Sequence, residues 1–506
     1  MGTGWDETYD VIVIGSGGGG LTAAYTAGSA GLRTLVLEKS EYFGGMTAYS
    51  GACLWLPGNP ITAKATTEDT PERALEYVRA VVGDTAPEAM QRAYVANAGR
   101  VVEFLTRHPA LRFRYGAFPD YYDVPGRVKG GRGIFPEPLA GAELGSLLDR
   151  LQPSMAAHRF GRTVDRTRLE GGQALVGRLL LAVSSLESVT LRARTPFDEL
   201  VVEDGRVTGV EADGGRLRVR AERGVLLAAG GFEADAELRR QWQGLEEVWT
   251  NAPATHTGDA ILAGMRAGAA VARLENAWWA PNLLYPGGSS AFAVGIRGGL
   301  FTDAAGRRFA NESLPYTRLG QSILDVDPPR PLYWIFDDRF KTPPCILEVE
   351  PDPDEFRAAG LWHTADTVEA LADRLGLPEL PGTVTRFNSF AASGTDADFH
   401  RGEDEWDLFF GRGDGPNPCL VPVEHGPFHA VRIGLGDLGT KGGLVTDTSA
   451  RVLDEAGEPI PGLYATGNTI ANATGKVYPG PGAPIGTAMV FGFLAARHLS
   501  GEGAHA

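Results

Sequence analysis

The first forty residues place apolar runs and glycines in an order typical of a strand, a tight loop and a helix. Residues 10–14, "DVIVI", form an apolar run that predicts a buried strand. Gly15-x-Gly17-x-x-Gly20 follows directly, and the alanine-rich stretch after it predicts a helix. A second apolar run, "TLVLE", predicts another strand, which ends at Glu38. This order indicates an α/β fold of the Rossmann type near the start of the chain.

The same loop predicts a binding site for a dinucleotide. Glycines allow the tight turn and let backbone N–H groups approach a pyrophosphate, and the helix N-terminus favours negative charge. Glu38 is placed to accept a hydrogen bond from a ribose hydroxyl. The motif therefore indicates a cofactor with an adenosine half, and by itself it does not separate FAD from NAD.

Two further glycine-rich stretches favour FAD. "EKSEYFGGMTAYSGA" comes directly at Glu38, and "GLYATGN" at 462–468 follows a hairpin-like segment. Distant glycine loops that meet one nucleotide fold suit an extended FAD. A second G-x-G-x-x-G, from Gly434 to Gly439, has no apolar strand directly before it and no helix after it. No separate NAD(P) domain is therefore expected.

The stretch "GKVYPGPGAPIG", 475–486, surrounds Tyr478 with prolines and glycines. Proline fixes φ and glycine permits unusual φ, so this stretch predicts a shaped turn. The apolar run "TAMVFGFLAARHL" that follows predicts a helix.

Composition limits the possible classes of protein. The length of 506 residues favours two domains, and the net charge of −16 argues against a general surface for nucleic acid or anionic lipid. The three cysteines share no CxxC spacing, so buried free thiols and no metal site are expected. The N-terminal stretch lacks the features of a signal peptide, and no apolar run approaches the roughly 20 residues of a membrane span. A cytoplasmic location is the expectation.

Several motifs together resemble one family of flavoproteins. The chain resembles the fumarate reductase/succinate dehydrogenase flavoprotein superfamily, and within it the 3-ketosteroid Δ1-dehydrogenases. The resemblance covers nearly the whole chain and rests on these stretches: "GGMTAYSG", "FPDYYDVPG", "GVLLAAGGFEAD", "WWAP", "GRRFANESLPY", "DLGTKGGLVTD", "GLYATGN" and "YPGPGAPIG".

The resemblance implies a fold and a set of cofactor contacts. The implied fold class is α/β: a Rossmann-like FAD-binding domain, residues 1–276 and 437–506, with an inserted α+β catalytic domain, residues 277–436. Met46 and Thr47 stand where covalently flavinylated relatives carry a histidine, so non-covalent FAD is expected. The implied FAD-binding residues are Gly15, Ser16, Gly17, Gly18, Gly20, Glu38, Lys39, Gly45, Met46, Thr47, Ser50, Gly51, Ala229, Gly230, Gly467, Asn468, Pro484 and Ile485.

The resemblance also implies a reaction carried out by tyrosines without a metal. The Tyr478 hydroxyl and the Gly482 amide would bind the 3-keto oxygen of a steroid as an oxyanion-hole-like pair. Tyr316 would accept the proton from C2, and FAD would take the hydride from C1. Tyr121 would be the hydrogen-bonded partner of Tyr316, with the adjacent Tyr122 as an alternative.

Four aromatic residues are candidates for an apolar steroid slot, although each is also suited to core packing: Phe118, Phe292, Trp278 and Trp279. All nine histidines are interpreted as structural or surface residues. The reduced flavin would pass its electrons to an external acceptor, a quinone or another molecule.

Other functions stay open at this point. A 3-ketosteroid Δ4-(5α)-dehydrogenase, or a dehydrogenase of another cyclic ketone, would keep the chemistry and change the bond or the substrate. A fumarate-reductase-like enzyme is disfavoured, because the motifs hold no histidine where dicarboxylate-binding relatives do. A catalytically silent flavin-binding protein is the alternative outside enzymes.

Overall fold

The structure, a computed structural model, describes residues 4–326 and 331–502. Residues 1–3, 327–330 and 503–506, which the predicted domain ranges include, lie outside the described residues. The chain divides into two compact units. The first unit comprises Met1–Glu246, Ala252–Ala277 and Gly439–Ala506, and the second comprises Glu247–Asn251 and Trp278–Leu438. The assignment of FAD binding to the first and catalysis to the second stays a prediction.

Strands, some of them short, alternate with helices along the described chain. The strands are β1 Glu7–Ile14, β2 Thr34–Leu37, β3 Leu54–Trp55, β4 Phe113–Tyr115, β5 Gly133–Pro136, β6 Leu139–Ala140, β7 Arg168–Leu169, β8 Val189–Arg192, β9 Phe197–Glu203, β10 Arg206–Ala212, β11 Leu217–Leu227, β12 Trp249–Thr250, β13 Val271–Ala272, β14 Ala277–Leu284, β15 Ser290–Phe292, β16 Leu300–Thr302, β17 Leu332–Asp337, β18 Trp362–Ala365, β19 Phe428–Thr440, β20 Gly443–Leu444, β21 Arg451–Leu453 and β22 Pro459–Ala465. The α-helices are α1 Gly18–Ser29, α2 Gly45–Tyr49, α3 Thr62–Ala65, α4 Pro71–Val82, α5 Glu88–Leu105, α6 Met155–Phe160, α7 Gly171–Ser184, α8 Ala236–Gln243, α9 Asp259–Arg266, α10 Tyr316–Leu324, α11 Pro353–Ala358, α12 Val368–Leu375, α13 Leu380–Ser393, α14 Glu405–Phe410 and α15 Ala483–Leu499.

The first unit is built on an eight-stranded sheet in the order β21-β22-β11-β1-β2-β8, to which β9 and β10 add beside β11. β1 pairs in parallel with both β11 and β2, and its residues 11–14 are fully buried. A continuous apolar run suits a strand that is covered on both faces. The predicted strand–loop–helix–strand order is therefore confirmed.

The carboxyl ends of four parallel strands meet at one edge of this sheet. Ile14 at the end of β1 pairs with Leu37 of β2 and with Leu227 of β11. Leu227 pairs in turn with Ala465 at the end of β22. The glycine loop, Glu38 and the turns after β11 and β22 therefore start from the same edge, which is where α/β sheets bind ligands.

Helices α1 and α15 pack together next to this edge through glycine. A Cβ on Gly492 of α15 would lie 2.4 Å from the Gly19 carbonyl oxygen of α1. The close approach requires glycine here and fixes the start of α15 beside the start of α1. The helix predicted after the Tyr478 turn is confirmed as α15.

The second unit contains a seven-stranded sheet in the order β15-β14-β19-β17-β16, with β12 and β18 also paired to β19. The long strand β19 contains the second G-x-G-x-x-G, which thus lies within a strand rather than before a helix. Helices α12 and α13 cover an apolar core that includes Leu371, Leu380 and Phe387.

All three cysteines are free; Cys419 is buried, whereas Cys53 and Cys345 are only half-buried. Within the described ranges, no helix is both long and apolar enough to cross a membrane. Nor do the described residues contain three His, Cys, Asp or Glu side chains grouped to hold a metal ion.

Candidate active site

The loop after β1 forms a cradle from which side chains are absent. Gly15 has a φ of +99°, and a Cβ there would lie 2.4 Å from the Ala228 carbonyl oxygen. A Cβ on Gly20 would lie 2.1 Å from the Gly15 carbonyl oxygen. At Gly17, in contrast, the nearest atom would be the Thr47 hydroxyl at 3.7 Å. The loop is therefore closely packed on the side of Gly15 and Gly20 and open at Gly17.

The N-terminus of α1 faces this open side and is suited to an anion. Gly17 caps the helix without any side-chain hydrogen bond. Amides of a first helical turn have no partner within the helix and attract negative charge. A diphosphate fits such a site, because the backbone N–H groups of a glycine-rich helix start can surround it.

Glu38 is held in a fixed orientation at the end of β2. One carboxylate oxygen accepts from the Ser16 hydroxyl at 2.6 Å and from the Ser16 amide at 3.2 Å. The other accepts from the Ser40 amide at 2.9 Å. A carboxylate retains further lone pairs for the hydroxyls of a ribose. The remaining acceptor positions of Glu38 therefore fit the ribose in the adenosine half of a dinucleotide.

Residues from three distant segments meet at Gly18. The Gly18 amide donates to the Thr47 hydroxyl at 3.0 Å. A Cβ on Gly18 would lie 3.3 Å from that hydroxyl and 3.3 Å from a methyl group of Ile485, which follows Pro484 in the first turn of α15. The structure thus brings together three predicted cofactor residues. Thr47 is 29 residues from Gly18 in the sequence, and Ile485 is several hundred residues away.

The turns after β11 and β22 border the same cradle. A Cβ on Gly15 would lie 2.8 Å from Ala229 Cα. Thr469 donates from its hydroxyl to the Gly230 carbonyl at 2.8 Å, which ties the 467–468 turn to the 229–230 turn. Asn468 approaches Gly439, whose Cβ would lie 2.3 Å from the Asn468 side-chain nitrogen.

The other predicted cofactor residues lie beside this cradle, and their roles stay predictions. The Lys39 ammonium pairs with Asp259 at 2.7 Å. Gly45 opens α2 with a φ of +49°, and Met46 follows it as a half-buried residue. The Ser50 hydroxyl donates to the Thr47 carbonyl at 2.7 Å, and Gly51 has no other residue close to its Cβ position.

Tyr478 and Gly482 lie at the start of α15 with their polar groups directed at one another. Gly482 has a φ of +88°, and a Cβ there would lie 1.9 Å from the Cys53 carbonyl oxygen. Its amide donates to the Tyr478 hydroxyl over 3.4 Å. Tyr478 is 3% exposed. The turn therefore holds one phenol and one side-chain-free amide within reach of a single small acceptor.

Tyr121 packs against Tyr478. The two rings have centroids 5.4 Å apart. The Tyr121 amide donates to the Pro479 carbonyl at 3.2 Å, and that carbonyl also accepts from the Tyr77 hydroxyl at 2.6 Å. The adjacent Tyr122 donates from its amide to the Tyr77 hydroxyl at 3.1 Å.

A buried ionic group supports this tyrosine pair, and sequence reasoning missed it. Arg132 binds Asp120 at 2.8 Å and Asp69 at 2.9 Å, and all three side chains are fully buried. Asp120 also accepts from the Trp55 indole at 2.8 Å. Burial raises the pKa of Asp69, against the lowering influence of Arg132. Asp120 stands in the quoted "FPDYYDVPG" motif, but nothing in the sequence pointed to Arg132 as its partner.

Lys441 is a second support that the sequence did not reveal. It is 1% exposed, and its ammonium group donates to the carbonyl of Val477, the residue before Tyr478. Burial lowers the pKa of Lys441, and the nearby Arg273 lowers it further. The side chain thus ties the "DLGTKGGLVTD" segment to the Tyr478 turn.

Tyr316 belongs to the second unit, where it begins α10. Its ring contacts Phe292 edge-on, with centroids 4.8 Å apart. Trp278 and Trp279 are buried in the same unit, whereas Phe118, in the first unit, is half-buried. This contact therefore joins Phe292, a candidate for the steroid slot, to Tyr316, the predicted proton acceptor.

The chain segment before Tyr316 is anchored by buried charges. Glu312 forms a two-pronged pair with Arg308, both bonds at 2.8 Å, and also binds Arg401 at 2.9 Å. Arg308 binds Asp396 at 2.8 Å. Asp396, between α13 and α14, therefore supplies a buried partner for "GRRFANESLPY".

The strand–glycine loop–helix edge, the fixed Glu38 carboxylate and the open start of α1 together fit a protein that binds a dinucleotide. The chain belongs to the family described as "FAD binding domain", whose model matches residues 10–485. Its cofactor is FAD, and the protein is an FAD-dependent oxidoreductase.

Three relatives show how far the similarity extends. The chain is 39% identical to the 3-oxosteroid 1-dehydrogenase of Rhodococcus opacus, covering 98% of this chain and 99% of that one. It is 36% identical to the 4-oxocyclohexanecarboxylate 2-dehydrogenase of Sinomonas cyclohexanicum, covering 98% and 94%. The crystal structure of 3-ketosteroid delta1-dehydrogenase from Sterolibacterium denitrificans in complex with 1,4-androstadiene-3,17-dione matches with a TM-score of 0.90 at 32% identity, covering 98% and 100%.

Proposed function

We propose that the protein is an FAD-dependent 3-ketosteroid Δ1-dehydrogenase, which introduces a C1–C2 double bond into a 3-ketosteroid. The observation that carries this proposal is the group formed by Tyr478, Gly482 and Tyr121 at the start of α15. Similarity to the Rhodococcus and Sterolibacterium dehydrogenases over nearly the full chain supports it.

The Tyr478 hydroxyl and the Gly482 amide are proposed to bind the 3-keto oxygen. The amide now donates to the hydroxyl over 3.4 Å, and in the proposed complex a substrate oxygen would replace this contact and accept from both groups. Withdrawal of electron density from the carbonyl makes the C2–H bond acidic and stabilises the enolate that develops. In comparable sites, one such donor contributes about 2.7–4 kcal/mol to transition-state stabilisation.

Tyr316 is proposed to take the C2 proton, with Tyr121 as its partner. A phenol has a reference pKa of about 10, so it needs an acidified C–H and a route by which its own proton leaves. FAD supplies the acceptor for the hydride that leaves C1. The substrate thus loses one proton and one hydride, and an external acceptor such as a quinone reoxidises the cofactor.

A second candidate function is dehydrogenation of a smaller cyclic ketone. The 36% identity to a 4-oxocyclohexanecarboxylate 2-dehydrogenase, over nearly the whole of both chains, favours this alternative. The carbonyl-binding and proton-accepting groups would act in the same way. A 3-ketosteroid Δ4-(5α)-dehydrogenase would use the same carbonyl and a different C–C bond.

Anaerobic titration of the FAD-loaded protein separates these functions. Loss of the visible flavin absorbance with 4-androstene-3,17-dione, together with formation of the 1,4-diene-3-ketone, is the expected result. Loss of absorbance only with 4-oxocyclohexanecarboxylate would replace the steroid by the smaller ketone. A 4-ene product from a 5α-steroid would indicate the Δ4 reaction. An oxidised flavin with all three ketones would contradict the proposal.

A further inference from the structure

Behind the cofactor loops of the first unit lies a buried pair formed by His256 and Glu233. The histidine Nδ1 lies 2.6 Å from a Glu233 carboxylate oxygen, and the side chains are 10% and 0% exposed. The second carboxylate oxygen accepts from the Thr440 hydroxyl at 2.9 Å and from the Thr440 amide at 3.1 Å. Both oxygens of the Glu233 carboxylate thus accept hydrogen bonds.

The charge state of the pair follows from these contacts. Burial acts to raise the pKa of Glu233, but His256 and the Thr440 amide outweigh it, so the pKa is lowered and the group stays ionised. A carboxylate accepts only, so Nδ1 carries the proton in this contact. Donation from Nε2 in addition therefore requires a ring that carries a proton on each nitrogen.

The ring of His256 lies between two glycines that the sequence predicts as FAD contacts. A Cβ on Gly230, whose φ is +82°, would lie 2.8 Å from Nδ1. A Cβ on Gly45, whose φ is +49°, would lie 3.5 Å from Nε2. No side chain stands between the ring and these two backbone segments, because both positions are glycine.

The neighbours of His256 connect it to the predicted diphosphate site. Two residues after Gly45, the Thr47 hydroxyl accepts from the Gly18 amide at the start of α1. On the other side, the Thr255 carbonyl accepts from the Lys39 ammonium at 3.1 Å. Lys39 is itself engaged by Asp259. The segments that flank the ring are thus bonded to the start of α1 on one side and to Lys39, next to Glu38, on the other.

Nε2 is the group of this pair that is available to a ligand. Within residues 4–326 and 331–502, His256 forms its hydrogen bond through Nδ1, and Nε2 has no hydrogen-bond partner. An imidazolium Nε2–H is a charge-assisted donor, and such donors bind phosphate oxygens strongly. A nine-tenths buried imidazole with an unengaged Nε2, beside loops that the sequence predicts as FAD contacts, indicates a binding role rather than packing alone.

We propose that His256 is a further FAD-binding residue, which donates from Nε2 to the diphosphate of the cofactor, and that Glu233 is its positioning residue. The proposal rests on the predicted placement of the diphosphate at the start of α1. It does not depend on which ketone the enzyme oxidises, so failure of the proposed function leaves it intact.

Equilibrium binding of FAD to the apoprotein tests the proposal without measuring activity. H256Q and E233Q are each expected to weaken FAD binding about 10- to 100-fold, the usual effect of losing a hydrogen bond to a charged group. H429Q is the matched control, because His429 is a buried histidine of the second unit that contacts Trp362 and Thr364. Its FAD affinity should equal that of the wild type.

Two cofactor fragments identify the part of FAD that His256 binds. ADP carries the diphosphate without the flavin, so H256Q should weaken ADP binding by the same factor as FAD binding. Adenosine has no phosphate, and its binding should not change. An unchanged FAD affinity in folded H256Q would overturn the proposal, and so would weaker FAD binding with unchanged ADP binding.

If both variants fail to fold, the wild-type protein still decides the matter. Selective ¹⁵N labelling of histidine allows the Nε2 resonances to be followed by NMR. Addition of ADP should shift the Nε2 signal of one buried histidine, and adenosine should not. The absence of an ADP-dependent shift at any buried histidine would overturn the proposal.

Discussion

Gly15 and Gly17 stand two residues apart in one loop, and their missing side chains face different surroundings. A Cβ on Gly15 would lie 2.4 Å from a carbonyl oxygen, whereas one on Gly17 would have its nearest neighbour at 3.7 Å. Gly17 also has a φ of −68°, which alanine adopts without strain. The fold requires glycine at position 15. At position 17, glycine leaves open the space in which we expect the diphosphate of FAD.

The G17A variant is therefore expected to fold and to bind FAD poorly. A methyl group on the open side of the cradle would occupy space needed by the diphosphate. We expect FAD affinity to fall at least about tenfold, or about 1.4 kcal/mol. Fluorescence titration of the apoprotein with FAD measures this, and the unfolding midpoint of the apoprotein should match the wild type.

G382A is the control for that substitution. Gly382 is exposed in α13, and no other residue lies within 4 Å of its Cβ position. Alanine there should leave FAD affinity unchanged. If G17A bound FAD as tightly as G382A, the cradle would not be the diphosphate site.

At Tyr478, removal of one oxygen atom should separate catalysis from cofactor binding. Y478F keeps the ring that packs on Tyr121 and loses the hydroxyl that faces the Gly482 amide. With the ketone that reduces the flavin, we expect kcat to fall about 10²- to 10³-fold. The FAD content, read from the absorbance spectrum, should not change.

Y464F is the matched control for Y478F. Tyr464 belongs to β22, and its hydroxyl contacts His498 on α15. The substitution therefore removes a phenol hydroxyl that does not contact the Tyr478 turn. Its kcat should stay within about twofold of the wild type. A comparable loss of kcat in both variants would remove Tyr478 from the proposed mechanism.

At the scale of the element, the loop that carries Tyr121 depends on a charge that is completely buried. Arg132 satisfies Asp69 and Asp120 together. R132M would leave two buried carboxylates without their cation, which costs about 3–5 kcal/mol of unfolding free energy. Urea unfolding of the FAD-loaded protein measures this loss.

R168M provides the comparison for R132M. Arg168 pairs with Glu170 at a similar distance, 2.9 Å, but both side chains are about two-thirds exposed. Exposed pairs contribute about 0–1 kcal/mol. Equal losses in the two variants would show that the buried group does not stabilise this loop.

The turn around Tyr478 is a second element held by a buried side chain, that of Lys441. K441M removes the amino group that donates to the Val477 carbonyl, so the turn should loosen. A displacement of Tyr478 by about 1 Å would lower kcat/KM as much as about 100-fold. K476M is the matched control, because Lys476 is exposed in the same turn and pairs with Glu275. Similar kcat/KM values in both variants would contradict this role for Lys441.

The elements differ in how far the sequence could predict them. β1, α1 and β2 follow each other within forty residues, so their pattern and the roles of Gly15 and Glu38 are legible locally. Arg132 and Asp69 are 63 residues apart, and neither stands in a motif. Their pairing is set by how the loops before α4 and β5 pack, which no local pattern records. His256 was missed for the same reason, because Gly45 and the segment that carries Gly230 and Glu233 are both distant from it in the sequence.

At the scale of the molecule, the FAD cradle is assembled from segments that span most of the chain. Gly18, Thr47 and Ile485 meet at one point, and the 229–230 and 467–468 turns border it. These segments come together only when the first unit is folded. FAD should therefore bind the folded state and leave the unfolded chain without affinity.

Added FAD should accordingly stabilise the protein in proportion to its affinity. At a free concentration of 100 times Kd, the gain in unfolding free energy is about 2.7 kcal/mol. Calorimetric melting of the apoprotein at increasing FAD concentration should show a steady rise of the unfolding temperature. In G17A, the same FAD concentrations should give a smaller rise, because its Kd is higher. An equal rise in both proteins would mean that FAD stabilises the fold through some site other than the loop after β1.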